Sequence, residues 1–395
     1  MHKNMSRIFA ALACLAVIPA AAFASSSRVA GLNVPGDYIK DYTGIYTYVS
    51  GVGSVGNLVY AEPNTAMGAV LGNLFEGRLG TWGIHLRQNH PALGQATSFG
   101  SINPSVVGLG SDPNSAGEAF DIMWGHKMGS GSLGLRLNRS WDSNEAAATV
   151  EGNGTNSRNV FGLGAGFGFA MNSNTDVEVS GLFQNRSYSN PTGVGPSTNS
   201  ADDGGTAYQL AGRAMMKKGG NLLIVPVVKL YSFDQSTATV PAGVKSEDKR
   251  SGWQAGVAGN WSLGSDDLFV LGAQMANNTR KTPSPAASAT TKVTETYYPN
   301  VFMGLETHVN SWLTLRFGAQ SAMLYSRKAD ANAPAVTTTT DKEMDFNYNM
   351  GAGVKVGSLQ FDATLAPNFW NNPVTNTFNN PFSTPFPNVT ATYSF

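Results

Sequence analysis

Histidine, cysteine and carboxylate side chains are where catalysis or metal binding would begin, and here they do not converge. Beyond His2, the histidines His85, His90, His126 and His308 stand far apart in the chain. No H-E-x-x-H pair, Cys/His cluster or calcium-loop spacing occurs. No G-x-S-x-G elbow presents a serine nucleophile, and Asp202-Asp203-Gly204-Gly205 reads as a solvated turn. The one cysteine, Cys14, lies in an apolar run near the start, so the rest of the chain has no disulfide and no thiolate metal site. No enzyme activity, metal or cofactor is therefore expected. What remains is a chemistry of charge. Arg87, Arg136, Arg213, Arg316, Glu306 and Asp362 each stand in a stretch where polar and apolar residues alternate, on the polar parity. Charges confined to one face suit a water-filled interior that sorts solutes by size and charge. The same charges, paired with each other or with an inserted segment, would instead brace a wall, and the sequence leaves both readings open.

The elements that carry these residues are strands, because strict alternation places one set of side chains on each face of an extended chain. In Leu133–Trp141, Leu133, Leu135 and Leu137 alternate with Gly134, Arg136 and Asn138. In Val160–Met171, Phe161, Leu163, Ala165, Phe167 and Phe169 alternate with Gly162, Gly164, Gly166 and Gly168. Similar stretches recur at 79–88, 120–127, 176–188, 207–217, 221–233, 253–263, 268–278, 296–308, 312–325, 344–356, 359–369 and 387–395, with a less regular pair at 57–62 and 67–75. Short turns such as Lys218-Gly219-Gly220 alternate with long polar loops such as 190–205.

Composition selects among all-β folds. Only 13% of residues are charged, and 26 basic residues balance 26 acidic ones. That is roughly half the charge of an ordinary soluble protein, and it leaves no nucleic-acid footprint. Lys3 and Arg7 precede an apolar run to Ala22, and Ala22-Phe23-Ala24 offers the small residues of a cleavage site, so residues 1–24 read as a signal peptide cut after Ala24. No second long apolar segment follows. An exported, charge-poor chain without spanning helices satisfies its backbone in a membrane only by closing strands on themselves. The expectation is an all-β transmembrane antiparallel β-barrel over residues 56–395, with about 16 strands, or 14 if the first pair lies outside the wall. Short turns would face the periplasm and long loops the exterior. Tryptophans cluster at strand ends, as interfacial girdles require; Trp312 alone has the wrong parity for its expected strand.

The closing stretch alternates Val389, Ala391, Tyr393 and Phe395 with Asn388, Thr390, Thr392 and Ser394. This ending resembles the last strand of bacterial outer-membrane β-barrels, which implies that Tyr393 and Phe395 form a signal read by the barrel-assembly machinery. Residues 25–55 are not strand-like and are expected to be a periplasmic or lumenal segment. Within it, small residues, then Asp41, then Tyr42, Ile45 and Tyr46 loosely resemble the N-terminal hatch of fatty-acid transporter (FadL-like) barrels. The resemblance covers about thirty residues and departs where Tyr48-Val49 replaces the usual Asn-Pro. The Gly162/164/166/168 row invites close approach by another backbone. A hatch would meet it through Tyr42, Ile45 and Tyr46; a low-bulk bend of the wall is the alternative.

The function expected is a channel in the Gram-negative outer membrane for passive diffusion of small solutes through a polar lumen. A FadL-like carrier of hydrophobic compounds and a structural protein without transport are the alternatives. Membrane lipid, assembly machinery and small solutes are the expected partners. Porins of this size often form homotrimers, and nothing in the sequence marks a contact face.

Overall fold

In the computed structural model, residues 25–63, 66–72, 74, 79–87, 118–145, 155–190, 199–202, 205–234, 236–240, 245–264, 266–283, 290–331, 343–366 and 385–395 are described. The expected signal peptide, the loop 88–117 and Trp370 lie outside them.

The wall begins with β1 (Leu58–Glu62), β2 (Ala66–Leu71), β3 (Thr81–Arg87), β4 (Glu118–Met128), β5 (Gly131–Glu145), β6 (Thr155–Asn172) and β7 (Thr175–Asn190). After the short loop strand β8 (Asn199–Asp202) come β9 (Thr206–Lys218) and β10 (Leu222–Asp234). Two more loop strands, β11 (Thr237–Val240) and β12 (Lys245–Ser246), lead to β13 (Lys249–Leu263), β14 (Asp267–Pro283), β15 (Thr290–His308) and β16 (Leu313–Ala331). The wall ends with β17 (Glu343–Val356), β18 (Leu359–Leu365) and β19 (Val389–Ser394). Each wall strand pairs antiparallel with its neighbours, and β19 pairs back onto β1 (Tyr60 opposite Thr392), so no wall edge is left open. The result is a closed barrel of 16 strands.

Side-chain parity sorts the two faces. Outside, Leu135, Leu163, Phe183, Leu210, Val228 and Val257 continue around the wall into Leu271, Val301, Leu315 and Phe317, all exposed. Soluble monomers rarely expose apolar patches beyond a few hundred Å². A belt that encircles the barrel is therefore matched to hydrocarbon, not to water. Trp82 and Trp124 stand opposite one another near the turn side, and both indoles donate to Leu79 O (3.2 and 2.7 Å). Trp312 belongs to the turn before β16, which starts at Leu313, so its strand parity does not apply. The expected strands run further on the loop side than alternation alone indicated: β14, β15 and β16 have 17, 19 and 19 residues. A tilted strand crosses a membrane in about 9–11 residues, so this side of the barrel projects well beyond the apolar belt.

Inside lies the segment 25–54. It opens with a short helix, α1 (Ser26–Leu32), capped by Ser25, whose Oγ accepts from Arg28 N at 3.0 Å. Asn33 stops it in the left-handed conformation (φ 48°). Three 3-10 turns follow, Gly36–Tyr38, Tyr42–Tyr46 and Val49–Ser54. Leu32, Tyr38, Tyr48, Val49 and Val52 have no solvent exposure at all. All but Tyr48 belong to two apolar clusters that the wall completes. Tyr38 joins Val225, Val227 and Phe302, while Ile45, Val49 and Val52 join Leu58, Met123 and Leu182.

Candidate functional site

The site is the interface between this segment and the inner wall. Its first anchor is electrostatic. Arg28 donates from Nε to Glu306 Oε2 (2.6 Å) and from Nη2 to Oε1 (2.7 Å). Glu306 stands directly across the ladder from Arg316, whose Nε reaches Oε2 at 2.5 Å. Arg316 Nη1 then meets Asp362 Oδ1 at 2.8 Å, and Asp362 Oδ2 accepts from Ser25 Oγ at 2.9 Å. The loop of charges thus leaves the segment at Arg28, uses β15, β16 and β18, and returns to it at Ser25. A forked guanidinium–carboxylate contact is among the stronger and more directional ion pairs. Buried charges demand such partners, because losing water without compensation costs several kcal/mol per ion, in round numbers.

A second anchor lies on β7, β9 and β10. Arg213 Nε pairs with Glu178 Oε2 at 2.6 Å, while Nη1 donates to the carbonyls of Asp37 (3.0 Å) and Ile39 (3.3 Å). Its guanidinium lies 4.1 Å from the Tyr48 ring centroid, a cation–π contact. Lys229 pairs with Asp37. Lys229 was missed in the sequence, although it has the inward parity between Val228 and Leu230, and so was Asp37.

The third anchor uses β1, β3, β4 and β5. Arg136 pairs with Asp121 (Nη2–Oδ1 2.7 Å) and donates from Nη1 to Tyr46 O at 2.9 Å. The hydroxyls of Tyr46 and Tyr60 lie 2.6 Å apart, and each reaches His85 Nδ1, at 3.0 and 3.1 Å. His85 is fully buried, a hydrogen-bonded member of the interface.

The expectation of pore-lining charges needs correction. Arg136, Arg213, Arg316, Glu306 and Asp362 do face inward, but none is more than 6% exposed, so they do not border an open water path. Each is held in an ion pair, and the inserted segment covers them. The Arg87 side chain lies outside what is described.

The glycine row also divides. A Cβ at Gly166 would stand 2.8 Å from Ser50 N, and one at Gly168 would stand 3.2 Å from Ser50 Oγ, so here the segment does lie close. At Gly162 the space is taken by Asn138 and Gln184 of the wall, and at Gly164 by Leu182. Tyr42, Ile45 and Tyr46 pack elsewhere. Tyr42 meets Tyr60 (ring centroids 5.3 Å), Ile45 joins the Met123 cluster, and Tyr46 turns to His85. The reason is geometric: a missing side chain admits a main chain, which Val49–Ser50 supplies, whereas a tyrosine ring needs a wider hollow. The tightest approaches involve glycines outside the row. A Cβ at Gly318 would stand 1.7 Å from Leu32 O, and one at Gly134 would stand 2.1 Å from Val49 O.

On the outer wall, an apolar pocket of about 720 Å³ lies over Ala165 and Gly181, bordered by Leu135, Leu163, Phe183 and Leu210. The ladders run through it unbroken (Leu135 opposite Ala165, Ala165 opposite Gly181, Gly181 opposite Leu210), so it is a dent in the wall and not a window. Tyr393 and Phe395 stack with centroids 6.0 Å apart and are both exposed.

No family model matches the chain, and no curated protein matches it. Among solved structures, it is similar to the ferric yersiniabactin uptake receptor FyuA from Yersinia pestis at 10% identity and TM-score 0.44, covering 63% of this chain and 44% of that one. CdiB from Acinetobacter baumannii aligns at 8% identity and TM-score 0.41, covering 86% and 59%. The NanC porin aligns at 12% identity and TM-score 0.28, covering 60% and 93%. The closed 16-strand barrel is read from this chain's own strand pairing. This chain spans less than two thirds of the two larger proteins, and its function has to be read from its own geometry.

Proposed function

We propose that this protein is an outer-membrane channel for small polar solutes whose bore is closed by its own residues 25–54, and that solute passes by diffusion when this segment is displaced. One observation carries the reading. The segment touches the wall around its whole circumference, at β15–β18 through α1, at β9 and β10 through Asp37 and Arg213, and at β3–β7 through Val49–Ser54. Its contacts mix apolar packing with hydrogen-bonded ion pairs facing a polar wall. A polar wall is of use to solute once the segment leaves, and the charges would then line the path.

The wall pocket over Ala165 and Gly181 favours carriage of hydrophobic compounds, but no gap joins it to the interior at those ladders. Tyr393 and Phe395, aromatic and outward, fit the proposed recognition by the assembly machinery.

The deciding experiment is planar-bilayer conductance of the full chain beside a variant lacking residues 28–50. The expected result is a nearly silent full-length barrel and a conducting variant. A Lys229→Met variant with the segment intact, expected to flicker open, guards against misfolding of the deletion. Silence in all three would move the reading to a structural barrel without transport.

A further inference from the structure

The projecting side of the barrel carries a feature that neither a pore nor a plug uses. Lys249, Lys281 and Lys292 stand directly opposite one another on β13, β14 and β15, with Lys281 in the middle. Lys249 shares the outward parity of Trp253 and Lys281 that of Met275, while Lys292, beyond the bulge between Tyr297 and Asn300, shares that of the exposed Tyr298. Lys328 lies on the same face of β16, opposite Thr294 and one step below the row. Asp234 (3.2 Å) and Glu247 (4.0 Å) engage Lys249, and Asp330 stands opposite Lys292 in the ladder. Among the described residues, Lys281, Lys292 and Lys328 form no ion pair. Like charges placed directly across a ladder repel; the acids at the two ends of the row leave the repulsion between Lys281 and its lysine neighbours only partly offset, and an external anion would remove the remainder.

Height and surroundings limit that anion. Lys249 lies four residues beyond Trp253 along β13, about 10 Å higher at roughly 3.3 Å per residue on a tilted strand. Trp253, Tyr298 and Tyr325 are exposed aromatics of the kind that mark the membrane–water boundary. Asn277, opposite Trp253, donates from Nδ2 to Thr296 Oγ1 at 2.9 Å at girdle level, and between girdle and lysines lies a hydroxylated row in which the hydroxyls of Thr279 and Thr294 lie 3.2 Å apart. Read upward, the outer wall is apolar, then aromatic, then hydroxylated, then cationic. A ligand matching that order has acyl chains, a sugar-like polar body and phosphate. The geometry points to a binding surface on the outer face of β13–β16 for a phosphorylated glycolipid headgroup of the outer leaflet. Lysine stems are long enough to bend toward phosphates lying slightly lower, and each basic residue near an anionic leaflet adds to the attraction. The continuity with the apolar belt argues for a lipid over a soluble polyanion, which would gain nothing from the girdle below.

This assignment rests on the membrane reading above. The test uses the full-length chain in phosphatidylcholine vesicles doped with a bis-phosphorylated acylated disaccharide, or with the same disaccharide stripped of phosphate. Vesicle flotation reports insertion, and native mass spectrometry of the extracted barrel reports retained glycolipid. Retention of the phosphorylated form should exceed the other by at least about tenfold, and the K281Q/K292Q/K328Q variant should lose that preference. A K217Q/K218Q variant at the opposite rim should keep it. Equal retention by wild type and the triple variant would overturn the proposal, as would displacement of the glycolipid by inorganic polyphosphate at matched phosphate. Failure to float at all would sink the membrane reading itself, a result distinct from loss of preference.

Discussion

Arg28 and Glu306 are 278 positions apart in the chain and joined at two points, Nε to Oε2 and Nη2 to Oε1. That contact ties α1 of the inner segment to the wall. Because Glu306 is shared with Arg316, it does not lose its only partner when Arg28 is removed.

Arg28→Met is therefore expected to loosen the segment while leaving the barrel folded. Docking should weaken by about 3 kcal/mol, the scale set by hydrogen bonds to charged groups. The measurement is open probability in a bilayer together with protease access to residues 25–54. A segment still protected, with unchanged conductance, would show that this pair does not hold the plug.

Gly318→Val tests close approach by the main chain. Its Cβ would collide with Leu32 O, whereas a Cβ at Gly212, on the outer face, meets only Glu178 O at 3.9 Å. The first variant should expel the start of the segment and raise solute flux, and Gly212→Ala should behave as wild type. Heat-modifiable gel mobility checks that both barrels close.

Asp41 gives the plug a pH dependence. Burial pushes its carboxyl above the usual carboxylate range, even though Thr43 Oγ1 and Gly44 N both donate to Oδ1. A raised value in the docked state means that docking is favoured where Asp41 is protonated. The contribution is complete below the ordinary carboxylate pKa and is lost as pH climbs through the docked value. Conductance should accordingly be lowest in acid and rise with pH, and Asp41→Asn should flatten that part of the profile. A profile identical in the variant would assign the titration elsewhere.

The outer belt makes the membrane reading vulnerable to a single charge. Leu163→Arg places a guanidinium among exposed apolar residues at mid-wall, where lipid would charge roughly 2–4 kcal/mol for it. Folding into vesicles should weaken by that amount. In a water-soluble protein the same change would be neutral or favourable, so an unaffected folding equilibrium would speak against a lipid-facing belt.

Much of the wall was legible in the sequence because the information there is local. Whether Leu135 faces out and Arg136 faces in depends only on the two-residue period of a strand, and the short turns after Met128 and Lys218 mark where the direction reverses. The count of 16 strands follows from the same signals. Strand length beyond the belt was less legible: in Thr290–Glu295 and Ser326–Lys328 both faces carry polar residues, and the period loses its contrast.

What tertiary structure alone decided is the content of the lumen. Sequence parity put Arg316, Glu306 and Asp362 inside, and it could not say whether they would meet water or one another. They meet one another, and Glu306 and Asp362 also meet Arg28 and Ser25, which only barrel closure brings within reach. The glycines repeat this lesson. The conspicuous row at 162–168 drew attention by its regularity, yet the deepest contacts fall at isolated Gly134 and Gly318, where a distant main chain lands. Alternation is a property of neighbouring residues and can be read in one dimension; occupancy of a bore depends on contacts between segments hundreds of positions apart, and these exist only once the cylinder has formed.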